Sequence, residues 1–333
     1  MPAPTYDVLG IGNAIVDVIA RAEHDFLLRH GMNKGGMALI DEARAHTIYD
    51  AMGPAVEISG GSAANTIVGL ASLGARTAFL GKVKDDQLGR VFAHDIRAAG
   101  VDFRTAPAAD GPATARCYIL VTPDGERTMN TYLGAAQNLH PADVDTDTVA
   151  AAAITYLEGY LWDPRNAKDA FRKAAEAAHA AGRMVALTLS DSFCVDRWRE
   201  EFLDLMRAGI IDLIFANESE LRSLYQTADF DSAVAALRQD ARRAVVTRSE
   251  KGCLIVQPEG TQAVPACPVE RVVDSTGAGD LFAAGFLFGL ARGAEHATAA
   301  RLGALAAAEI IGHIGARPET SLRALAAENG LPV

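Results

Sequence analysis

The sequence predicts an α/β protein with a mostly parallel central sheet, helices on both faces and a small β lid. Three observations lead there. Short β-rich runs alternate with longer Ala-rich amphipathic stretches, the rhythm of strand–crossover–strand units. One pair of strand-like runs, joined by Thr-Pro-Asp-Gly, is a hairpin for which that rhythm has no place. Half of the 333 residues are apolar, enough to fill one large core and too many for a disordered chain.

Taken in order, residues 6–12 read as a buried strand, as do 76–80, 153–158, 184–189, 212–216 and 244–247. A helix opens near Pro164, a good first-turn residue, and stops at Gly182, a plausible C-cap. The hairpin strands fall at 114–121 and 126–133. Together with the segment around residues 31–40 they predict the lid, set at roughly 18–42 and 112–135. No repeat, low-complexity tract or linker divides the chain, so residues 1–333 read as one domain.

Charge and cysteine usage narrow the partners. Against 42 acidic residues stand 31 Lys and Arg, a net charge of −11, and no basic run is long enough to follow a phosphate backbone. Nucleic acid is therefore not an expected partner. The four cysteines are scattered, with no CxxC pair and no histidines at zinc-ligand spacing, as expected in a reducing cytoplasm. Neither a signal peptide nor a membrane-spanning run is visible, so a cytoplasmic protein without a membrane partner is expected.

Two stretches carry chemistry. Residues 272–290, VVDSTGAGDLFAAGFLFGL, run from an apolar strand end through a glycine-bearing loop into an apolar helix. Gly277, Ala278 and Gly279 would leave loop amides open at a helix N-terminus, which makes an anion site suited to a phosphoryl group in transfer. Asp280 follows at once, where a carboxylate can take the proton of an attacking hydroxyl. Alone, the string could equally be a turn with Asp280 as a helix cap. The second stretch is Gly60-Gly61-Ser62-Ala-Ala-Asn65. Its glycines permit close backbone approach to a ligand, while Ser62 and Asn65 add a hydroxyl and an amide at a helix start. A plain cap by Ser62 explains the same residues. Asn13 and Asp17 lie four apart at the end of the first strand, and a carboxylate such as Asp17 suits a vicinal diol, or else a solvated turn.

Together these stretches resemble the two signatures of the PfkB-type (ribokinase-like) carbohydrate and nucleoside kinases: GGSAAN continuing to LGKVKDDQLG, and DSTGAGDLFAAGFL. The likeness spans essentially the whole chain. It implies a ribokinase-like fold, Mg²⁺ with ATP as phosphoryl donor, Asp280 as catalytic base, an anion hole at residues 277–279, and a β lid over the substrate. It implies further that Asn217 and Glu220 act on magnesium and phosphate, Glu220 through water, and that Thr247 and Gly252 line the nucleotide. Near Asp274 and Thr276 some members hold a monovalent cation such as K⁺, which is left open here. A monomer or a homodimer fits the family equally.

Within the family the chain is most similar to adenosine kinases, through GNAIVD, TYLEGYLW and LTLSDSF. The implied acceptor is the 5′-hydroxyl of a purine ribonucleoside, with Asn13, Asp17, Gly60, Gly61, Ser62 and Asn65 around its ribose. Tyr160, Leu161 and Trp162 could line a base pocket or lie in the core. Arg116, on a lid strand, differs from the small residue common in adenosine kinases. If it faces the pocket, it favours inosine or guanosine, or a bare sugar as in a ribokinase or fructokinase. From a different class, Gly10-Ile-Gly12 after a strand suggests an NAD-dependent oxidoreductase, but that fingerprint lacks its third glycine and its acidic partner.

Overall fold

A computed structural model of the chain describes residues 3–333. In chain order its strands are β1 (Tyr6–Ile11), β2 (Ile15–Arg21), β3 (Met37–Leu39), β4 (Ala55–Gly60), β5 (Thr77–Leu80), β6 (Asp102–Phe103), β7 (Ala115–Val121), β8 (Arg127–Tyr132), β9 (Ala152–Glu158), β10 (Met184–Thr188), β11 (Leu213–Asn217), β12 (Ala244–Thr247), β13 (Cys253–Gln257) and β14 (Gly260–Val264). Nine of them form one sheet in the order β14-β13-β12-β11-β10-β9-β1-β5-β6. It is parallel from β12 to β6, and an antiparallel hairpin, β13–β14, closes the far edge. That hairpin is not visible in the sequence pattern.

Strand alternation splits the interior into two layers. Val8, Tyr156, Phe215 and Val245 face one way, against the helices Ser62–Ser72, Ala278–Ala291 and His296–Ile310. Leu9, Leu157, Ile214 and Val246 face the other way, against Arg165–Ala180 and Ser192–Arg207. The Arg165–Ala180 helix buries Ala167, Ala170, Phe171, Ala174, Ala175 and Ala178, a stripe at helical spacing whose small members let it lie close to the sheet. Leu161 and Trp162 lie within this second layer, Trp162 against Phe171 and Phe202, so they are core and not a base pocket.

The second sheet has the order β3-β8-β7-β2-β4. The β7–β8 hairpin turns where the Thr-Pro-Asp-Gly motif predicts, with Gly125 at φ 83°. This sheet also includes β4 and begins at Ile15, both outside the bounds read from the sequence. An edge strand such as β4 pairs on one side only and carries a weak alternation signal.

The dinucleotide reading fails on topology. Strand β1 runs into another strand, β2, where a dinucleotide fold needs a helix. Gly10 and Gly12 serve packing: a Cβ on Gly10 would lie 2.5 Å from Ile67, and one on Gly12 would lie 2.3 Å from a Glu158 carboxylate oxygen.

Candidate active site

Strand order changes direction at β1, with β5 and β6 on one side and β9 to β12 on the other. In open α/β sheets the crevice at the carboxyl ends beside such a point is where ligands bind. Asn13, Glu158, Asn217 and Thr247 all stand at or just beyond carboxyl ends of the parallel strands.

The two sequence motifs meet in this crevice. The Ser62 hydroxyl donates to Asp280 Oδ1 at 2.6 Å, and Asn65 Nδ2 donates to Oδ2 at 3.1 Å. Burial pushes the Asp280 carboxyl up to about 6, against the pull of these two donors. Before it, Gly277 takes φ 78°, a left-handed conformation that a glycine adopts without strain, and caps the helix Ala278–Ala291. The amides of Gly277, Gly279 and Asp280 find no acceptor among the described residues. A helix N-terminus with free amides is an anion site.

On the other wall, Gly61 at φ 99° begins the Ser62–Ser72 helix, and a side chain there would meet the Asn13 carbonyl oxygen at 2.4 Å. A Cβ on Gly60 would lie 2.3 Å from Asp17 Oδ2. Gly60 therefore makes room for Asp17, whose carboxylate accepts no hydrogen bond from any described residue. Burial pushes Asp17 up to about 6, and Arg317 and Arg127 pull it back. The buried side-chain oxygens of Asn13 and Asn65 also lack partners among the described residues.

Three residues of this site escape the sequence reading. Glu158, buried at the end of β9, accepts from Asn13 Nδ2 at 2.7 Å and from the Ala63 amide at 2.9 Å, so it joins the first strand's turn to the Gly60–Gly61 loop. Burial pushes its carboxyl up to about 7. Arg127, on β8, forms a 2.8 Å ion pair with Asp274 while its Nη2 stays buried without a partner. Arg317 bridges the loop following the His296–Ile310 helix to the Gly60–Gly61 segment. Arg127 and Arg317 lie in no motif, and Glu158, although inside the TYLEGYLW stretch, carries no site signal there; only tertiary contact brings the three in.

The remaining expected residues divide into two groups. Asn217 and Glu220 form a reciprocal capping box at the helix Glu218–Tyr225, with both Glu220 oxygens accepting from Asn217. Asn217 pairs in register with Thr247, and Gly252, at φ 80°, ends the short turn that follows. These four therefore lie side by side at one end of the crevice. Asp274 has both oxygens engaged, by Thr276 and by Arg127 with the Gly315 amide.

Arg116 is the correction. On β2 and β7, Asp17 pairs in register with Cys117, whereas Arg116 pairs with Val16 on the opposite face. There it is buried, donates to the Tyr118 hydroxyl at 2.8 Å and stacks 4.9 Å over Tyr132. It does not line the crevice around Asp17. Replacing Arg116 with Met should leave the ratio of kcat/KM for inosine over adenosine within about twofold of the parent value, since a side chain on the face away from Asp17 makes no contact with a base held beside it. A shift of tenfold toward adenosine in that ratio would return Arg116 to the pocket.

Comparison with known proteins agrees with this geometry. The family model "pfkB family carbohydrate kinase" matches residues 51–322. A probable sugar kinase structure from Rhizobium etli CFN 42 shares 52% identity over 99% of this chain and 100% of its own, with a TM-score of 0.93. The adenosine kinase structure from Sinorhizobium meliloti shares 56% identity over 97% of this chain and 99% of its own, with a TM-score of 0.91. The adenosine kinase of Saccharomyces cerevisiae is 27% identical, covering 93% of this chain and 96% of that protein. The chain belongs to the pfkB family of carbohydrate kinases. It has the ribokinase-like fold and is an ATP-dependent phosphotransferase; kinases of this family generally use ATP with Mg²⁺. No helix among the described residues is long and apolar enough to cross a membrane.

Proposed function

We propose that this kinase phosphorylates the 5′-hydroxyl of a purine ribonucleoside, adenosine first. The observation that carries the reading is Asp17: a half-buried carboxylate without a protein partner, set on a mostly apolar face of the second sheet. Ile15, Ala115, Cys117 and Ile119 share its face of the second sheet, with Met37 and Leu39 exposed along the same side. A vicinal diol answers the carboxylate, and a flat base answers the apolar wall. Two of the relatives above are adenosine kinases, which supports the same acceptor.

In this reading Asp280 takes the proton as the acceptor hydroxyl attacks, with Ser62 and Asn65 orienting its carboxylate. The free amides of Gly277 and Gly279 stabilise charge on the transferring group. Asn13 and Asn65 offer their unpaired oxygens to ribose hydroxyls. Mg²⁺, when bound with the triphosphate, withdraws charge from its phosphoryl oxygens. Glu220 fits a water-bridged contact to it, because both carboxylate oxygens already accept from the helix cap. Asn217, Thr247, Gly252 and Thr276 belong to the nucleotide side. The second sheet serves as the lid, latched to the body by Arg127 and Asp274.

The test is kcat/KM with Mg-ATP for adenosine, inosine, guanosine, ribose and fructose. Adenosine should exceed either free sugar by at least about 10², because the apolar wall contributes only when a base fills it. Faster turnover of ribose or fructose than of every nucleoside would overturn the nucleoside assignment.

A further inference from the structure

The loop after the His296–Ile310 helix touches the crevice three times. Gly315 donates its amide to Asp274 Oδ2 at 3.0 Å. Ala316 packs so closely that a Cβ on Gly277 would lie 3.0 Å from it. Arg317 then crosses to the opposite wall. Its Nε and Nη2 both reach the Ser59 carbonyl, at 3.1 and 2.8 Å, Nη2 also reaches the Ser59 hydroxyl at 3.0 Å, and Nη1 reaches the Ala64 carbonyl at 2.8 Å. These contacts bracket Gly60-Gly61-Ser62 from both ends.

We propose that Arg317 is a positioning residue that ties the phosphate-side loop to the acceptor-side loop and supplies the positive charge facing both Asp17 and Asp280. Because it acts through those two carboxylates, the inference rests on Asp280 being the base.

The charges around it are few. Arg317 faces Asp17 from β2, Asp95 from the Gln87–Ala98 helix and Asp280 from the Ala278–Ala291 helix. Asp95 is itself held, accepting from the Ser59 amide at 2.8 Å. Asp17 also faces Arg127 and Asp280, while Asp280 faces Ser62 and Asn65. Glu158 and Tyr156 lie near enough to feel Asp280. Burial lowers Arg317 only to about 10, so it stays charged at neutral pH. Both carboxylates are pushed up by burial and pulled down by Arg317. A base works ionised, so activity is retained above its pKa and falls as pH drops through it. Without the guanidinium both carboxyls rise, and the acid limb of the rate profile moves to higher pH.

The experiment is the pH dependence of kcat and kcat/KM for the full chain and for R317Q, R317K and D280N. R317Q should move the acid limb to higher pH. R317K keeps the charge but loses the forked contacts, so its limb should stay in place while kcat falls by about tenfold. A purely structural arginine would lower the plateau in R317Q and leave the limb unmoved, and that result overturns the proposal. If R317Q does not fold, R317K decides: a displaced limb or an undiminished kcat overturns it. D280N separates the two assignments. Turnover surviving in D280N sinks the base and this inference with it, whereas an inert D280N beside an unmoved R317Q limb sinks only the role of Arg317.

Discussion

Replacing Asp280 with Asn is expected to lower kcat by about 10²–10⁴ or more while the fold and acceptor affinity persist. Asn has the same shape, so the Ser62 hydroxyl at 2.6 Å can still donate to its oxygen. The Asn65 amide at 3.1 Å would face the new NH₂ group, a local mismatch that a single amide rotation or shift can relieve. What is lost is the proton acceptor beside the free amides of the Ala278–Ala291 helix. In the parent protein, kcat/KM should fall as pH drops below about 6, as the raised Asp280 carboxyl takes up its proton. Single-turnover rates and calorimetric binding of adenosine test both halves. Near-parental kcat in the Asn variant would remove Asp280 from the chemistry.

Asp17→Ala is expected to cost about 10²–10³ in kcat/KM for adenosine and to erase the preference for a 2′-hydroxyl. Asp17 is half-buried and has no protein donor, so a substrate lacking one hydroxyl leaves a charged acceptor short of a bond, at about 1.5–3 kcal/mol or about 10–150-fold. Parental enzyme should therefore turn over 2′-deoxyadenosine about 10²-fold less efficiently than adenosine. In the Ala variant the two should lie within about fivefold, because no carboxylate remains to be left unpaired. Unequal loss, with the 2′-hydroxyl preference intact, would move the diol contact to another residue.

Much of this site is legible in the sequence because it is built locally. A glycine-rich loop entering a helix positions its own amides, and Gly60, Gly61, Ser62 and Asn65 follow one another along a single strand–helix junction. The strands of the parallel sheet are equally plain, since burial on both faces leaves continuous apolar runs. What is hidden depends on register and on distant packing. Arg116 and Cys117 are neighbours in sequence, yet pleating sends one to the core and the other to the Asp17 face. Glu158 ends an apolar strand and shows its purpose only when Asn13 and Ala63 arrive from far along the chain. Asn217 and Glu220 read as a helix start on their own, and they do form that cap. The resemblance adds a role that the cap geometry permits but does not require.

Asp17 and Asp280 are carried by different layers of the fold. The first rides on β2 of the smaller sheet and the second on a helix packed against the larger one. In the proposed reading the carboxylate for the diol and the base for the attacking hydroxyl therefore reach one acceptor from two separate layers, so the site selects for span as well as for chemistry. A molecule that touches the apolar wall but offers Asp17 no hydroxyls would be held by one layer only, and its reactive end would be poorly fixed against Asp280. On that reading selectivity comes from reach: a ligand held by one layer alone would act as an inhibitor, and one that spans both layers would be turned over.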